Sequence, residues 1–147
     1  MPPTAQRSVS ASIEVAAPPE AVFALLSDPH RHPEIDGSGT LRRTLSGPHR
    51  LALGDTFGMR MQWGLPYVMR NTVVEVEPDR LIAWRHPGRH RWRYTLEPTP
   101  TGTRVTETFD WSTTPLARVL ERLQVPARNL RSIEATLQRL KAVVERG

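Results

Sequence analysis

Hydrophobic and polar positions alternate strictly near the start of the chain, where Val9, Ala11, Ile13 and Val15 interleave with Ser8, Ser10, Ser12 and Glu14. Period two predicts a strand with one buried face. The period then changes. APPEAVFALLSDP opens with prolines suited to a helix start and places Val22, Phe23, Leu25 and Leu26 on one side. This helix must stop near Asp28-Pro29, because proline disfavours a helical residue before it, and Pro33 punctuates again. HRHPEIDGSG, residues 30–39, is therefore read as an irregular segment after a short helix.

From Thr40 to Trp111 strand follows strand, beginning with LRRTLSG. In DTFGMRMQW, Phe57, Met59, Met61 and Trp63 share a face. In YVMRNTVVEVEPDR, alternation sets Val68, Arg70, Thr72, Val74 and Val76 against Asn71, Val73, Glu75 and Glu77. Ile82, Trp84 and His86 fall together, as do Trp92, Tyr94 and Leu96, and then Val105, Glu107, Phe109 and Trp111. Turn signals at Pro78-Asp79, Pro87-Gly88 and Thr101-Gly102 join these strands as antiparallel hairpins. The last third returns to helical spacing. Thr114-Pro115 offers a cap and a first-turn proline, and Leu116, Val119, Leu120 and Leu123 recur as a stripe. Val125-Pro126 either breaks or kinks that helix, which resumes with Leu130, Ile133, Leu137, Leu140 and Val144 on one side.

The sum is an α+β layout in which a curved antiparallel sheet wraps around a long C-terminal helix. Residues 1–147 make a single domain, with 1–7 expected to be flexible. The helix stripe has only the sheet's inner face to bury against. A curved sheet gripping one helix rarely fills its interior, so a ligand cavity is expected between them.

Composition narrows the chemistry. The chain has no cysteine, which excludes disulfides, thiolate zinc sites and thiol nucleophiles. It shows neither a signal-type leader nor an apolar run long enough to span a bilayer, so a cytoplasmic location without membrane insertion is expected. The net charge is +5, and Lys141 is the only lysine among its cations. WRHPGRHRWRY interleaves basic and aromatic residues in the manner of a single-strand binder. Period two separates them, however: the rings point inward while Arg85, Arg89, Arg91 and Arg93 point outward or lie at the turn. Nucleic acid is not expected as a partner. No phosphate loop, dinucleotide fingerprint or serine elbow occurs, and no cofactor is expected. Self-association as a homodimer stays open.

His30, His32, Glu34 and Asp36 are the residue types that bind divalent metals, but Pro33 interrupts the strand their spacing would need, and no metal site is assigned. The plainer reading makes Asp36 a turn cap beside permissive Gly37 and Gly39. Phe57, Met59, Met61, Trp63, Trp84, Trp92, Tyr94, Phe109 and Trp111 present a broad, flat apolar surface suited to a planar ligand. Arg70, His86 and Glu107 share the inner face with them. A buried charge must be paired, neutralised or hydrated. Glu107 therefore either pairs with Arg70 or, with His86 or Asp36, moves protons on a bound substrate. A bulge in either strand would flip this assignment.

ASIEVAAPPEAVFALLSDPHRHPEID, NTVVEVEPDRLIAWR and YTLEPTPTGTRVTETFDW, in that order and spacing, resemble the START-like, helix-grip superfamily, and within it the polyketide cyclase/dehydrase and lipid-transport group. The resemblance spans nearly the whole chain. It implies a hydrophobic pocket between sheet and C-terminal helix, with the segment around His32 and Asp36 at its mouth, where they would meet a ligand's polar end. It does not imply one activity. Three readings follow: a carrier or sensor of a small hydrophobic, aromatic or lipid-like molecule; a metal-free cyclase/dehydratase-type enzyme using Asp36, His86 or Glu107; and a macromolecular adaptor acting through the arginine-bearing outer surface or an exposed sheet edge.

Overall fold

A computed structural model describes residues 6–146. The expected strand opens the fold as β1 (Ser8–Val15), followed by α1 (Pro19–Leu26), a 3₁₀ turn over Pro29–Arg31 and the single-turn α2 (His32–Ile35). Six strands come next: β2 (Leu41–Ser46), β3 (Thr56–Trp63), β4 (Leu65–Glu77), β5 (Leu81–Arg85), β6 (Arg91–Thr99) and β7 (Gly102–Asp110). Two helices, α3 (Ala117–Arg122) and α4 (Val125–Glu145), complete it. The seven strands form one antiparallel sheet in the order β1-β7-β6-β5-β4-β3-β2. Helix α4 lies across β1 and β7 and against α2. This is the helix-grip arrangement.

The core joins the sheet's inner face to two helices. Val22, Phe23, Leu25 and Leu26 of α1 and Ile133, Leu137 and Leu140 of α4 are buried with Phe57, Val73, Ile82, Leu96, Val105 and Phe109. Close packing of this kind is the main source of stability. Pro19 starts α1 at its first turn, and the Ser27 N–H closes it by donating to the carbonyls of Phe23 and Leu25. The expected flexibility of residues 1–7 falls, for 1–5, outside the described residues. Arg7 is held at both ends: its carbonyl accepts from the Trp111 N–H, and its guanidinium pairs with Glu121 at 3.1 Å.

Four expectations are corrected, and the alternative left open at Pro126 is resolved. The segment around residue 30 is not irregular throughout, since Asp28 caps the 3₁₀ turn by accepting from the His30 N–H and α2 follows at once. Thr114 does not begin a helix: α3 starts at Ala117, and the Thr114 hydroxyl accepts from the Leu116 N–H. Pro126 accompanies a break, because Gln124 adopts a left-handed conformation (φ 58°) that ends one helix and leads into the next. The α3 stripe is largely not core: Leu116, Val119 and Leu123 are exposed, while Ala117 and Leu120 face inward.

The fourth correction concerns β4. Its pairing with β5 matches Val73 with Trp84 and Glu75 with Ala83, so Val74 is an extra residue in a bulge. Beyond the bulge Val76 points into the core as alternation predicts. Before it the phase reverses: Tyr67, Met69 and Asn71 turn inward, and Arg70 is exposed.

Candidate functional site

A cavity of about 420 Å³ lies between the inner face of the sheet and α4. Its walls come from β3 (Phe57, Met59, Met61, Trp63), β4 (Tyr67, Met69, Asn71), β5 and β6 (Trp84, Trp92, Tyr94), and its roof from Ile133 and Thr136. The aromatic rings meet as a connected wall. Trp84 packs on Phe57 at 5.4 Å between centroids and on Tyr94 at 5.7 Å, and His32 stacks over the same indole at 5.0 Å.

The α2 segment reaches the cavity because its backbone is fastened at two points. Asp36 gathers the N–H groups of Ser38, Gly39 and Leu41 at 3.2–3.3 Å, and the Gly37 N–H donates to the Thr136 hydroxyl of α4 at 2.9 Å. Gly39 takes a positive φ of 76°. HPEIDGSG is thus a turn pinned against the terminal helix, with His32 and Asp36 on the cavity lining. His32 donates from Nε2 to the Leu26 carbonyl at 2.8 Å, since a carbonyl can only accept, and this leaves Nδ1 as an acceptor. Burial lowers its pKa to about 4, so the ring is neutral.

His30, His32, Glu34 and Asp36 do not converge on a metal. His30 bonds the Gly47 carbonyl, Glu34 pairs with Arg31, and His32 and Asp36 are engaged as described. Among the described residues the grouping with three donor atoms within 4.8 Å is Asp28, His30 and His49, away from the cavity lining.

Glu107 is the buried acid of the site. It stands opposite Tyr94 in the β6–β7 pairing, and its Oε1 has no hydrogen-bond partner. Burial pushes its pKa up to about 8, the Tyr94 hydroxyl pulls it back in part, and the negative charge of Asp36 adds to the rise. The carboxyl is accordingly protonated at neutral pH. Burial and the nearby Glu107 also drive Tyr94 well above the usual phenol range. His86 is held neutral, its pKa lowered to about 3 by burial with His90 contributing, and its Nδ1 is likewise unpartnered. The buried amide oxygen of Asn71, another residue of the lining, is also without a partner among the described residues. A buried polar atom left unpaired costs about 1–3 kcal/mol, so three on residues that line one cavity are informative.

Of the residues singled out from sequence, the structure places His32, Asp36, Met59, Met61, Trp63, Trp84, His86, Trp92, Tyr94 and Glu107 on this cavity. Three others lie elsewhere. Arg70 is on the outer face because of the bulge, so the proposed Arg70–Glu107 pair does not form. Phe109 and Trp111 are buried in the core behind the wall, with Phe109 packed on Trp92 at 4.9 Å. Trp111 donates from its indole N–H to Glu121 at 2.7 Å. Sequence reasoning missed Tyr67, Met69 and Asn71, which sit on the phase it assigned to the outside. It also missed Arg128, whose guanidinium lies 4.6 Å over the Trp63 ring at the rim. No single-sequence signal marks that pair, because the two residues are far apart in the chain.

Comparison with known proteins places this geometry in context. Residues 6–145 match the family described as polyketide cyclase / dehydrase and lipid transport. An uncharacterized protein of Mycobacterium tuberculosis, Rv0088, is 42% identical over 145 residues, which cover 95% of this chain and 65% of that relative. The chain therefore spans less than two thirds of that relative's length. Among solved structures, protein CV1439 of Chromobacterium violaceum superposes with a TM-score of 0.75 at 20% identity, covering 95% of this chain and 97% of that one. The AHSA1-like protein of Aeromonas hydrophila superposes with a TM-score of 0.67 at 20% identity, covering 92% and 93%. These two likenesses concern the fold.

Proposed function

Since the chain belongs to the polyketide cyclase / dehydrase and lipid transport family, we propose that it holds a small, largely apolar molecule, aromatic or lipid-like, between its sheet and α4. The observation that carries this reading is the cavity itself, an aromatic and methionine-walled space of about 420 Å³ with unpaired polar atoms at Asn71, His86 and Glu107. That volume lies within the range of roughly 300–1,000 Å³ common to small-molecule sites. Apolar walls favour a ligand body by removing its surface from water. The three polar atoms favour a ligand that also carries hydroxyl or carbonyl groups, because each such contact relieves an unpaired buried group. Among the described residues no cationic side chain lines the cavity except Arg128 at the rim, so a neutral polar end suits the interior better than a carboxylate beside Glu107.

Native mass spectrometry of freshly purified protein, followed by solvent extraction, tests the reading. The expected result is an adduct of a small apolar molecule, or, after extraction, saturable uptake of the neutral probe N-phenylnaphthylamine. Trp84→Ala and Trp92→Ala should each weaken retention about tenfold, the equivalent of part of one aromatic contact surface. A folded protein that neither carries an adduct nor takes up the probe would remove the proposal.

A second reading rests on Glu107. A protonated carboxyl in an apolar cavity, with neutral His86 on the same lining, is the equipment of a general acid. A carbonyl-bearing substrate could then be cyclised or dehydrated without a metal. Under this reading Glu107→Gln abolishes turnover of the extracted molecule while binding persists; unchanged turnover would leave only the carrier.

A further inference from the structure

The residues around the mouth of the cavity are unusual in what they expose. The β3–β4 hairpin ends at Gly64, and around it Trp63 is 68% exposed and Leu65 80% exposed, with Tyr67 and Val68 also open to solvent. Across the mouth, α3 turns Ala117 and Leu120 inward and leaves Leu116, Val119 and Leu123 outside. The two groups belong to one rim: Trp63, Tyr67, Leu120 and Arg128 line the same cavity, and Arg128 stacks on Trp63. Large apolar side chains exposed on both segments that edge one cavity mark a contact site rather than chance exposure.

Charge distinguishes what the contact is with. Between residues 111 and 133, the segment that carries α3 and the start of α4, the chain holds four arginines (Arg118, Arg122, Arg128 and Arg131) against one glutamate, and residues 56–74 hold no acidic residue. That glutamate, Glu121, is occupied by Arg7 and Trp111. Protruding leucines with a tryptophan and a tyrosine, flanked by arginines, are the combination that settles at the boundary of a bilayer with anionic headgroups.

We propose that this collar docks the protein, mouth first, on an anionic lipid surface. Docking there seats the rim in the headgroup layer, so that an apolar molecule passes between bilayer and cavity without crossing water. It needs no spanning segment, and no helix among the described residues is long and apolar enough to be one.

Co-sedimentation with vesicles tests this, using phosphatidylcholine alone and phosphatidylcholine mixed with phosphatidylglycerol. The wild-type protein is expected to pellet with the anionic vesicles and to be released by high salt. The double variant Leu65→Ser/Leu123→Ser, whose positions are exposed and off the cavity lining, should bind those vesicles about tenfold more weakly. Arg118→Glu/Arg122→Glu should lose the preference for anionic over neutral vesicles. N-phenylnaphthylamine uptake should be unchanged in the leucine variant, which separates this result from the ligand reading. Wild-type protein that stays in the supernatant, or equal binding by wild type and leucine variant, overturns the proposal. So does a wild-type dimer that the same leucine substitutions dissolve, because the collar would then belong to a second copy of the chain.

Discussion

Between about pH 6.5 and about pH 8 the protein is expected to lose stability, and Glu107→Gln is expected to remove most of that loss. Glu107 keeps its proton in the folded state up to about pH 8, while the unfolded chain releases it near 4.5. Its contribution is therefore full below the lower value and disappears as pH climbs to the upper one. The slope is roughly 1.4 kcal/mol per pH unit, and the whole effect is on the order of 5 kcal/mol. His32 and His86 work in the other direction. Folded, they stay neutral down to about 4 and about 3, whereas the unfolded chain takes up those protons below 6.5. Their contribution is present above 6.5 and lost as pH falls. Two histidines outweigh one glutamate on the acid side, and the glutamate acts alone on the alkaline side, so these groups place maximum stability near pH 6.5. Urea midpoints measured across this range for both proteins check the sign. Parallel wild-type and Glu107→Gln profiles would mean that the carboxyl is not held neutral in the fold.

Gly37→Ala is expected to destabilise the protein by about 3 kcal/mol, lowering the melting temperature by roughly 10 °C in a domain of this size. A Cβ at residue 37 would sit 2.4 Å from the backbone nitrogen of Thr136 and 2.6 Å from the Ala135 Cβ. These atoms belong to a helix and cannot rotate aside, so α2 and α4 must separate. The Gly37–Thr136 hydrogen bond would go with them. Gly39→Ala is the control: nothing lies within 4 Å of its Cβ, and only the positive φ is strained, at a cost of about 1 kcal/mol. Thermal unfolding of the two variants should rank them in that order. Similar losses for both would show that the α2 segment does not press on α4.

The corrections share a cause. Alternation located β3, β5, β6 and β7 and their inward faces because one parity in each is clearly the more apolar. In β4 both parities carry large apolar residues: Leu65, Tyr67, Met69 and Val73 on one, Val68, Val74 and Val76 on the other. The bulge at Val74 uses one parity on each side of itself, and pairing with β5, not local sequence, sets where it falls. Phe109 and Trp111 show a different limit. Their inward direction was legible, but whether an inward ring meets the cavity or the core depends on where the helices cover the sheet. The α3 stripe had helical spacing, yet spacing cannot say whether another element is present to cover it.

By itself the sequence determined the order of elements, the antiparallel sheet, the gripping of the last helix and the presence of Glu107 and His86 on the inner face. These follow from the period of apolar residues, which is local. The tertiary structure alone decided that Arg70 faces outward, that Glu107 has Tyr94 rather than arginine for a neighbour, that Asn71 joins the cavity, and that Trp63 meets Arg128 at its rim. Each of those depends on register and on contacts between residues far apart in the chain, which local periodicity does not encode.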